Sequence, residues 1–576
     1  MKAYESTPLA DVLTAATPWQ KVVGAWLRKQ AGAELFGMPG YRLTLKGRVP
    51  DGFLATPHDG RPANALLGKA ILSGRYTLAN GRMSVQGSGD PWNRASPTRA
   101  FAIELHRFSW LPHLMTQGDE GAKEAVRLFL LWQKTFRNWT PFTWGEEVLA
   151  RRLINLSIFA RRLSAVAQPW EAHALAESIA EQGRHLLRLH NNAAYQASRA
   201  VALVAIGCVL SGNVGDSFRR KGLKRLPKAL RRCTQSDGSH MSRSPEQGLE
   251  LLYDLLLLVD ALSQRSQAVP DYIEEHIERL SRFVRTLSHP DGSLVSFQGA
   301  ESLPEDQILP ALLHTDAKAG NLPNALEQAR YHCLLGRSLS VFVDAGEAKG
   351  GDFGFAACDY PMAFEVSGGR DKLIVSPGWS PLQSDSQAFR VVGAANTLTL
   401  GDELILKPVA DRFGELLHFT LQGLRYKVRS RRVEAEESGT LLELEHEGWR
   451  PRFGLKHERR LYVDAQRDEL RGEERLTPMA TGKKLQNMPA SVPYAVRFLL
   501  HPEVQASLAR DRKSILLRGP GGRGWWLRHD AADVALGEGT VFEKGAPRKT
   551  TLIVLSGTAR LDTPTRLRWK LSPAES

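Results

Sequence analysis

Cysteine is scarce in this chain, with four among 576 residues: Cys208, Cys233, Cys333 and Cys358. None sits in a CxxC pair or beside histidines at metal-ligand spacing, which excludes a disulfide scaffold and a thiolate metal centre. Long apolar runs are also missing. The longest, Val201 to Leu210 and Leu249 to Leu258, are too short or too interrupted to span a bilayer, so no transmembrane segment is expected. The opening Met1-Lys2-Ala3-Tyr4-Glu5-Ser6 carries no basic segment followed by an apolar one. A cytoplasmic protein is therefore expected, with a mature periplasmic chain as the alternative. HExxH, GxSxG and Walker patterns do not occur. Gly368-Gly369 and Gly519-Pro520-Gly521-Gly522 lack the strand-to-helix setting of a phosphate loop. No cofactor and no metal are expected.

What is present is ordinary globular material, 42% hydrophobic and 24% charged, in a chain too long for one core. The net charge of +14 and the pI of about 9.6 favour a polyanionic partner. No nucleic-acid motif accompanies that charge, so nucleic acid is not expected, which leaves an acidic polysaccharide or an anionic membrane surface. The densest cationic stretch, Arg219 to Arg232, reads as the solvated face of a helix.

Three regions follow from the patterning. Residues 1–95 are irregular and turn-rich, with a helix predicted over Thr17 to Gln30 and a short strand at Tyr76 to Leu78. Residues 96–325 are helical. Leu249, Leu252, Leu255, Leu256, Val259 and Leu262 recur at three- and four-residue steps, and short polar joins predict antiparallel helix pairs. Residues 326–576 alternate in short runs such as Ser340 to Asp344, Thr397 to Leu400, Val496 to Leu500 and Thr551 to Leu555, as an antiparallel sandwich does. The helical-to-β change is expected within residues 315–335.

A series of small polar motifs runs through both regions: Asp237-Gly238-Ser239-His240, Arg243-Ser244-Pro245, His289-Pro290-Asp291-Gly292-Ser293, Phe364-Glu365-Val366 and Ala394-Ala395-Asn396-Thr397. Leu105 to Leu111, Arg151 to Asn155, Gly448 to Arg459, Gly472 to Leu476 and Val496 to Pro502 extend it. In this order the motifs resemble the bacterial heparinase II/III-like proteins, polysaccharide lyases and their relatives. The resemblance implies an α+β multidomain protein, an N-terminal (α/α) toroid followed by a C-terminal antiparallel β-sandwich. It also implies cleavage of a uronic-acid-containing glycan by β-elimination. In that reaction the site neutralises the uronate carboxylate and brings a Tyr or His to the C5 proton.

The chain departs from the family pattern at several places. Gln247 stands where a Tyr is common, Ala194-Tyr195 where Asn-His is common, and Cys358-Asp359-Tyr360 and Ala395-Asn396 where a His is common. For an active lyase the expected catalytic residues are His240, Tyr195 and Tyr360, with Arg243, His190, Asn191 and Asn396 binding substrate. The alternative is a catalytically degenerate glycan-binding or envelope-associated protein on the same scaffold. A third reading is a hydrolase using Asp237 and Glu365 as paired acids. One or two of Trp110, Trp132, Trp139, Trp144 and Phe142 are expected to be exposed as sugar platforms.

Overall fold

A computed structural model describes residues 19–86, 89–189, 192–314, 322–383, 386–409, 420–435, 439–479, 489–543 and 545–574. His190 and Asn191 lie outside these residues, as does part of the expected helical-to-β junction. The chain forms a helical toroid followed by a β-sandwich.

The toroid is built from helices joined by short links: Arg99–Arg107, Gly118–Phe136, Glu146–Val166, Pro169–Leu186, Gln196–Val209, Gly212–Cys233, Pro245–Gln264 and Asp271–Thr286. Sequence chemistry sets their limits. Ser244 caps Pro245–Gln264 by accepting the Gln247 N–H at 3.4 Å, and Pro245 supplies the first turn. Asp271–Thr286 buries Ile273, Ile277, Leu280 and Val284 on one face and carries Asp271 and Glu274 in its first turn. Gln196–Val209 is buried nearly all round, between Glu146–Val166, Gly212–Cys233 and Pro245–Gln264. Its close crossing with Gly212–Cys233 depends on Gly207, where a Cβ would stand 2.3 Å from the Arg219 nitrogen. The first helix runs Trp19–Gly37, about two turns further at its C-terminal end than the expected Gln30.

Two helix ends carry the same device. After Gly212–Cys233, Asp237 Oδ1 accepts the Ser239 N–H at 3.1 Å and the Ser239 hydroxyl at 2.6 Å. After Asp271–Thr286, Asp291 Oδ1 accepts the Ser293 N–H at 2.9 Å and the Ser293 hydroxyl at 2.6 Å. Gly238 (φ +83°) and Gly292 (φ +86°) occupy the left-handed position of each turn. The two Asp-Gly-Ser motifs are thus one hairpin used twice, each time at the end of a toroid helix.

The sandwich packs an eight-stranded antiparallel sheet against two smaller ones. The large sheet has the order Val428–Ala435, Gly439–His446, Leu455–Asp464, Glu469–Pro478, Thr565–Pro573, Gly524–His529, Ser514–Arg518, Gln505–Leu508. Facing it are a four-stranded sheet (Asp533–Glu543, Ala546–Arg560, Ser491–Leu499, Leu398–Leu400) and a five-stranded sheet (Ala325–Leu326, Tyr331–Leu335, Leu339–Asp344, Phe364–Gly368, Asp371–Ile374). A bridge from Ile374 to Leu500 joins these two. Gly448 to Gly454, which resembled the start of a strand pair, instead forms a turn and the short helix Arg450–Phe453 ahead of strand Leu455–Asp464.

The five-stranded sheet serves two cores. Leu334, Leu339, Val341, Val343 and Val366 face the sandwich interior. Cys333, Phe342, Tyr331 and the adjoining Cys358 and Tyr360 pack into the hydrophobic core of the toroid. Trp110, Trp132 and Trp144 are fully buried in the helical half, so these three are core and not sugar platforms. Among the described side chains the exposed tryptophans are Trp26 and Trp170.

Candidate functional site

The seam between the halves is where most of the motifs meet. Arg243, in the left-handed region at φ +68°, sends its guanidinium across the seam into an ion pair with Asp344. It also donates from Nε to the Ala329 carbonyl at 2.7 Å and from Nη1 to the Glu347 carbonyl at 3.0 Å, over the face of Tyr331. The Tyr331 hydroxyl returns a bond to the Arg243 carbonyl at 2.8 Å. Gln298 donates to the second Asp344 oxygen at 2.8 Å and accepts the Cys358 N–H at 3.1 Å. Arg243 is 1% exposed, so its position is that of a clamp between the halves, without an open donor edge for a substrate carboxylate.

Other predicted residues are engaged in the same way. Asn396 donates to the Phe364 and Val375 carbonyls at 3.0 and 2.7 Å and accepts the Leu499 N–H at 2.7 Å, tying three segments of the sandwich together. Tyr360 is buried and donates to the Phe389 carbonyl. Burial, reinforced by Cys358, holds its phenol well above the ordinary range, the wrong direction for a base at neutral pH. Asp237 Oδ2 accepts the Gln328 and Ala329 N–H groups, both at 2.9 Å. Glu365 is fully buried between His289 at 2.8 Å, Ser296 N at 3.0 Å and Ser376 N at 3.1 Å. Asp237 and Glu365 are therefore separate structural acceptors and do not form a hydrolase pair.

His240 is 6% exposed beside the ring of Phe353. Its Nδ1 accepts the Ser242 N–H at 3.2 Å and lies 2.7 Å from the Ser242 hydroxyl, an arrangement that leaves the ring proton on Nε2. Burial lowers its pKa to about 4, so the ring is neutral at physiological pH.

Beside the seam, partly open to solvent, lies a second group of polar side chains that sequence reading did not assemble. Glu250 and Asp254 project from Pro245–Gln264 on the same face as Gln247. Asp254 takes Arg151 through both oxygens, at 2.8 and 3.1 Å, and Arg61 at 2.7 Å. Glu250 accepts Arg61 at 3.0 Å and lies 3.4 Å from Arg151. Asp59 adds a contact to Arg61 at 3.0 Å. The side chains of Arg61, Arg151 and Glu250 remain 19%, 20% and 34% exposed. Arg107 is paired with Glu104 at 2.8 Å and lies near enough to Glu250 and Tyr195 to bias both. Three guanidiniums thus face four carboxylates, Asp59, Glu104, Glu250 and Asp254. Its sequence signals are the i, i+3, i+7 spacing of Gln247, Glu250 and Asp254 and the motifs that hold Arg107 and Arg151, with nothing to bring them together.

Tyr195 is half-buried at the start of Gln196–Val209, next to this cluster. Burial and the neighbouring Glu147 raise its phenol above the ordinary value, against the pull of Arg107. Ahead of it, Asn192 caps the turn through the Ala194 N–H at 2.8 Å, and Ala193 N donates to Asp352 of the sandwich at 2.8 Å. Among the described residues no group of three or more His, Cys, Asp or Glu side chains is arranged to hold a metal ion. Nor is any helix among them long and apolar enough to cross a membrane.

Comparison with known proteins agrees with this architecture. The model described as "Heparinase II/III-like, C-terminal" matches residues 318–570. FtsZ-localized protein C of Caulobacter vibrioides (strain NA1000 / CB15N) is 41% identical over 543 residues, 94% of each chain. Among solved structures, heparinase III superposes with a TM-score of 0.70 at 13% identity, over 98% of this chain and 93% of that one. The heparan sulfate lyase HepC from Pedobacter heparinus gives 0.53 at 16% identity, over 98% and 92%.

Proposed function

Because this chain belongs to the heparinase II/III-like family, we propose that it keeps the lyase scaffold and works by binding rather than by cutting. The observation that carries this reading is the Arg61–Arg151–Glu250–Asp254 cluster. β-Elimination needs uncommitted positive groups to neutralise the uronate and a base tuned toward neutral pH. Here the guanidiniums are committed to carboxylates, which outnumber them. The two candidate tyrosine bases are both shifted upward. The name of the Caulobacter relative associates that protein with FtsZ. We extend the association to this chain, as a binding protein working alongside FtsZ.

The test is direct. Purified protein incubated with heparan sulfate, chondroitin sulfate or polygalacturonate should give no rise in the ultraviolet absorbance of unsaturated product. A steady rise that disappears in Tyr195→Phe would overturn the proposal. In the native bacterium a fluorescent fusion should gather where FtsZ gathers, and a uniform distribution would remove that part of it.

One observation favours the second reading, an acidic-glycan lyase with Tyr195 as base. The phenol adjoins Arg107 and Arg99, which both favour its ionised form. A bound uronate that drew Arg107 from Glu104 would strengthen its own site, and Tyr195→Phe in the same assay separates the two readings.

A further inference from the structure

Apart from the cluster beside the seam, the helix Gly212–Cys233 turns a row of cations to solvent. Arg220, Lys221, Lys224, Arg225 and Lys228 are exposed, and Arg231 and Arg232 continue the row into the last turn. At about 100° per residue these seven fall within roughly 140° of the helix circumference. Phe218, Gly222, Leu226, Ala229 and Leu230 fill the opposite side and are buried. From Arg220 to Arg232 every exposed position is therefore Lys or Arg.

Unlike the guanidiniums beside the seam, these cations are uncommitted. Among the described residues none of the seven has an ion-pair partner, and the one acidic residue of the helix, Asp216, is taken by Arg219 at 3.1 Å. Arg225 and Arg232 donate only to neutral oxygens, the Leu187 carbonyl at 3.2 Å and Gln196 Oε1 at 2.9 Å. Like charges four residues apart destabilise a helix, as do Arg220 with Lys224, Lys224 with Lys228 and Lys228 with Arg232. Arg231 and Arg232 offset part of this at the C-terminal end of the helix dipole, a role the other five do not share. The row is nevertheless held rigidly, because the buried side presses on Gln196–Val209: a Cβ at Gly222 would stand 2.8 Å from the Val204 nitrogen.

The surroundings of the row narrow the ligand class. The cationic arc carries no aromatic ring, so neither bases nor sugar rings have a face to pack on. The other side of the helix is embedded in the toroid, which keeps it out of a DNA major groove, since that groove takes a whole helix. No apolar side chain is exposed along the row to enter a bilayer. The hairpin after the helix packs Gly238 on the Arg279 carbonyl of Asp271–Thr286, and that helix exposes Asp271, Glu274, Glu275 and Glu278. A broad anionic surface would meet those carboxylates, whereas a narrow chain follows the cations alone. At 1.5 Å per residue the row is about 18 Å long, the span of roughly five or six extended residues. Guanidinium forks and ammonium groups so spaced match carboxylates borne on such a chain.

We infer that this helix face docks an extended, acidic peptide segment of a partner protein, its carboxylates lying along the row from Arg220 to Arg232. The inference is independent of whether the cluster beside the seam binds or cuts. It is tested by fluorescence anisotropy of labelled decaglutamate titrated with the full-length protein at low salt. A Gly-Ser decapeptide serves as the uncharged control.

Wild type should bind decaglutamate, and binding should weaken as salt is raised. Lys221→Ala/Lys224→Ala/Lys228→Ala should weaken it about tenfold or more, and Lys221→Arg/Lys224→Arg/Lys228→Arg should stay within about twofold of wild type. All three lysines are exposed, so both variants fold, which circular dichroism checks. Lys123→Ala/Arg161→Ala/Arg162→Ala removes the same charge from exposed positions elsewhere on the toroid and should also stay within about twofold. Four results would overturn the inference: no binding by wild type, full binding by the lysine-to-alanine variant, equal loss in the variant altered elsewhere, or tighter binding of a DNA duplex or of phosphatidylglycerol vesicles through the same lysines.

Discussion

Glu246 gives a quantitative handle on how the two halves are joined. It sits in the first turn of Pro245–Gln264, 5% exposed, and accepts the Glu301 N–H at 3.0 Å and the Ser380 hydroxyl at 3.3 Å. Burial, with the adjacent Glu301 carboxyl adding to it, pushes the Glu246 pKa from 4.5 to about 8. Glu301 moves the same way, to about 7, with one oxygen left without a hydrogen-bond partner among the described residues. A raised folded pKa supports folding below the unfolded value, and that support is lost as pH rises through the folded value. Between pH 4.5 and 8 the unfolded chain releases a proton that the folded chain keeps, at ~1.4 kcal/mol per pH unit. The burden on stability is then about 1 kcal/mol at pH 5, about 3 at pH 7 and about 5 at pH 9. Glu246→Gln keeps the shape and removes the titration. Urea denaturation of wild type and variant at these three pH values should show a gain that grows steadily with pH. A variant no more stable than wild type at pH 9, or a gain independent of pH, would refute the reasoning.

Three further outcomes are expected. Removing one partner of the Arg243–Asp344 pair, as in Asp344→Asn or Arg243→Met, should cost about 3–5 kcal/mol by denaturant titration, because the other charge stays buried. On the acid side, His185, His240 and His332 are each lowered to about 4 by burial. Their support for folding is full above pH 6.5 and is lost as pH falls toward 4, so the melting temperature should drop across that window and drop less steeply in His240→Gln. Gly238→Ala forces a side chain into left-handed backbone and places its Cβ 2.2 Å from the Arg279 carbonyl, so it should cost about 1–3 kcal/mol in thermal melts, whereas Gly369→Ala, in open space, should cost less.

The fold was largely legible before any coordinates. The leucines of Pro245–Gln264 recur at helical steps and are buried in the toroid core. The alternating runs from Leu339 onward became strands, and the motif order matched a toroid with a sandwich. The site was much less legible, for a physical reason. A buried seam between two halves selects the same residue types as an active site: Arg against carboxylate, His against hydroxyl, Asn against carbonyls. Arg243, Asp237, Glu365 and Asn396 therefore resemble catalytic machinery in the sequence while acting as fasteners in the structure. The Arg61–Asp254 pairing spans 193 residues and has no local signature.

The shared duty of the five-stranded sheet has a consequence for how the chain can be divided. A fragment holding only residues 318–570, the stretch matched by the C-terminal family description, would leave Tyr331, Cys333, Phe342 and Tyr360 facing water. It would also strand Asp344 and Glu365 without Arg243 and His289. Excised, that portion would clump or stay unfolded, and recombination between relatives would succeed only when both portions come from the same parent.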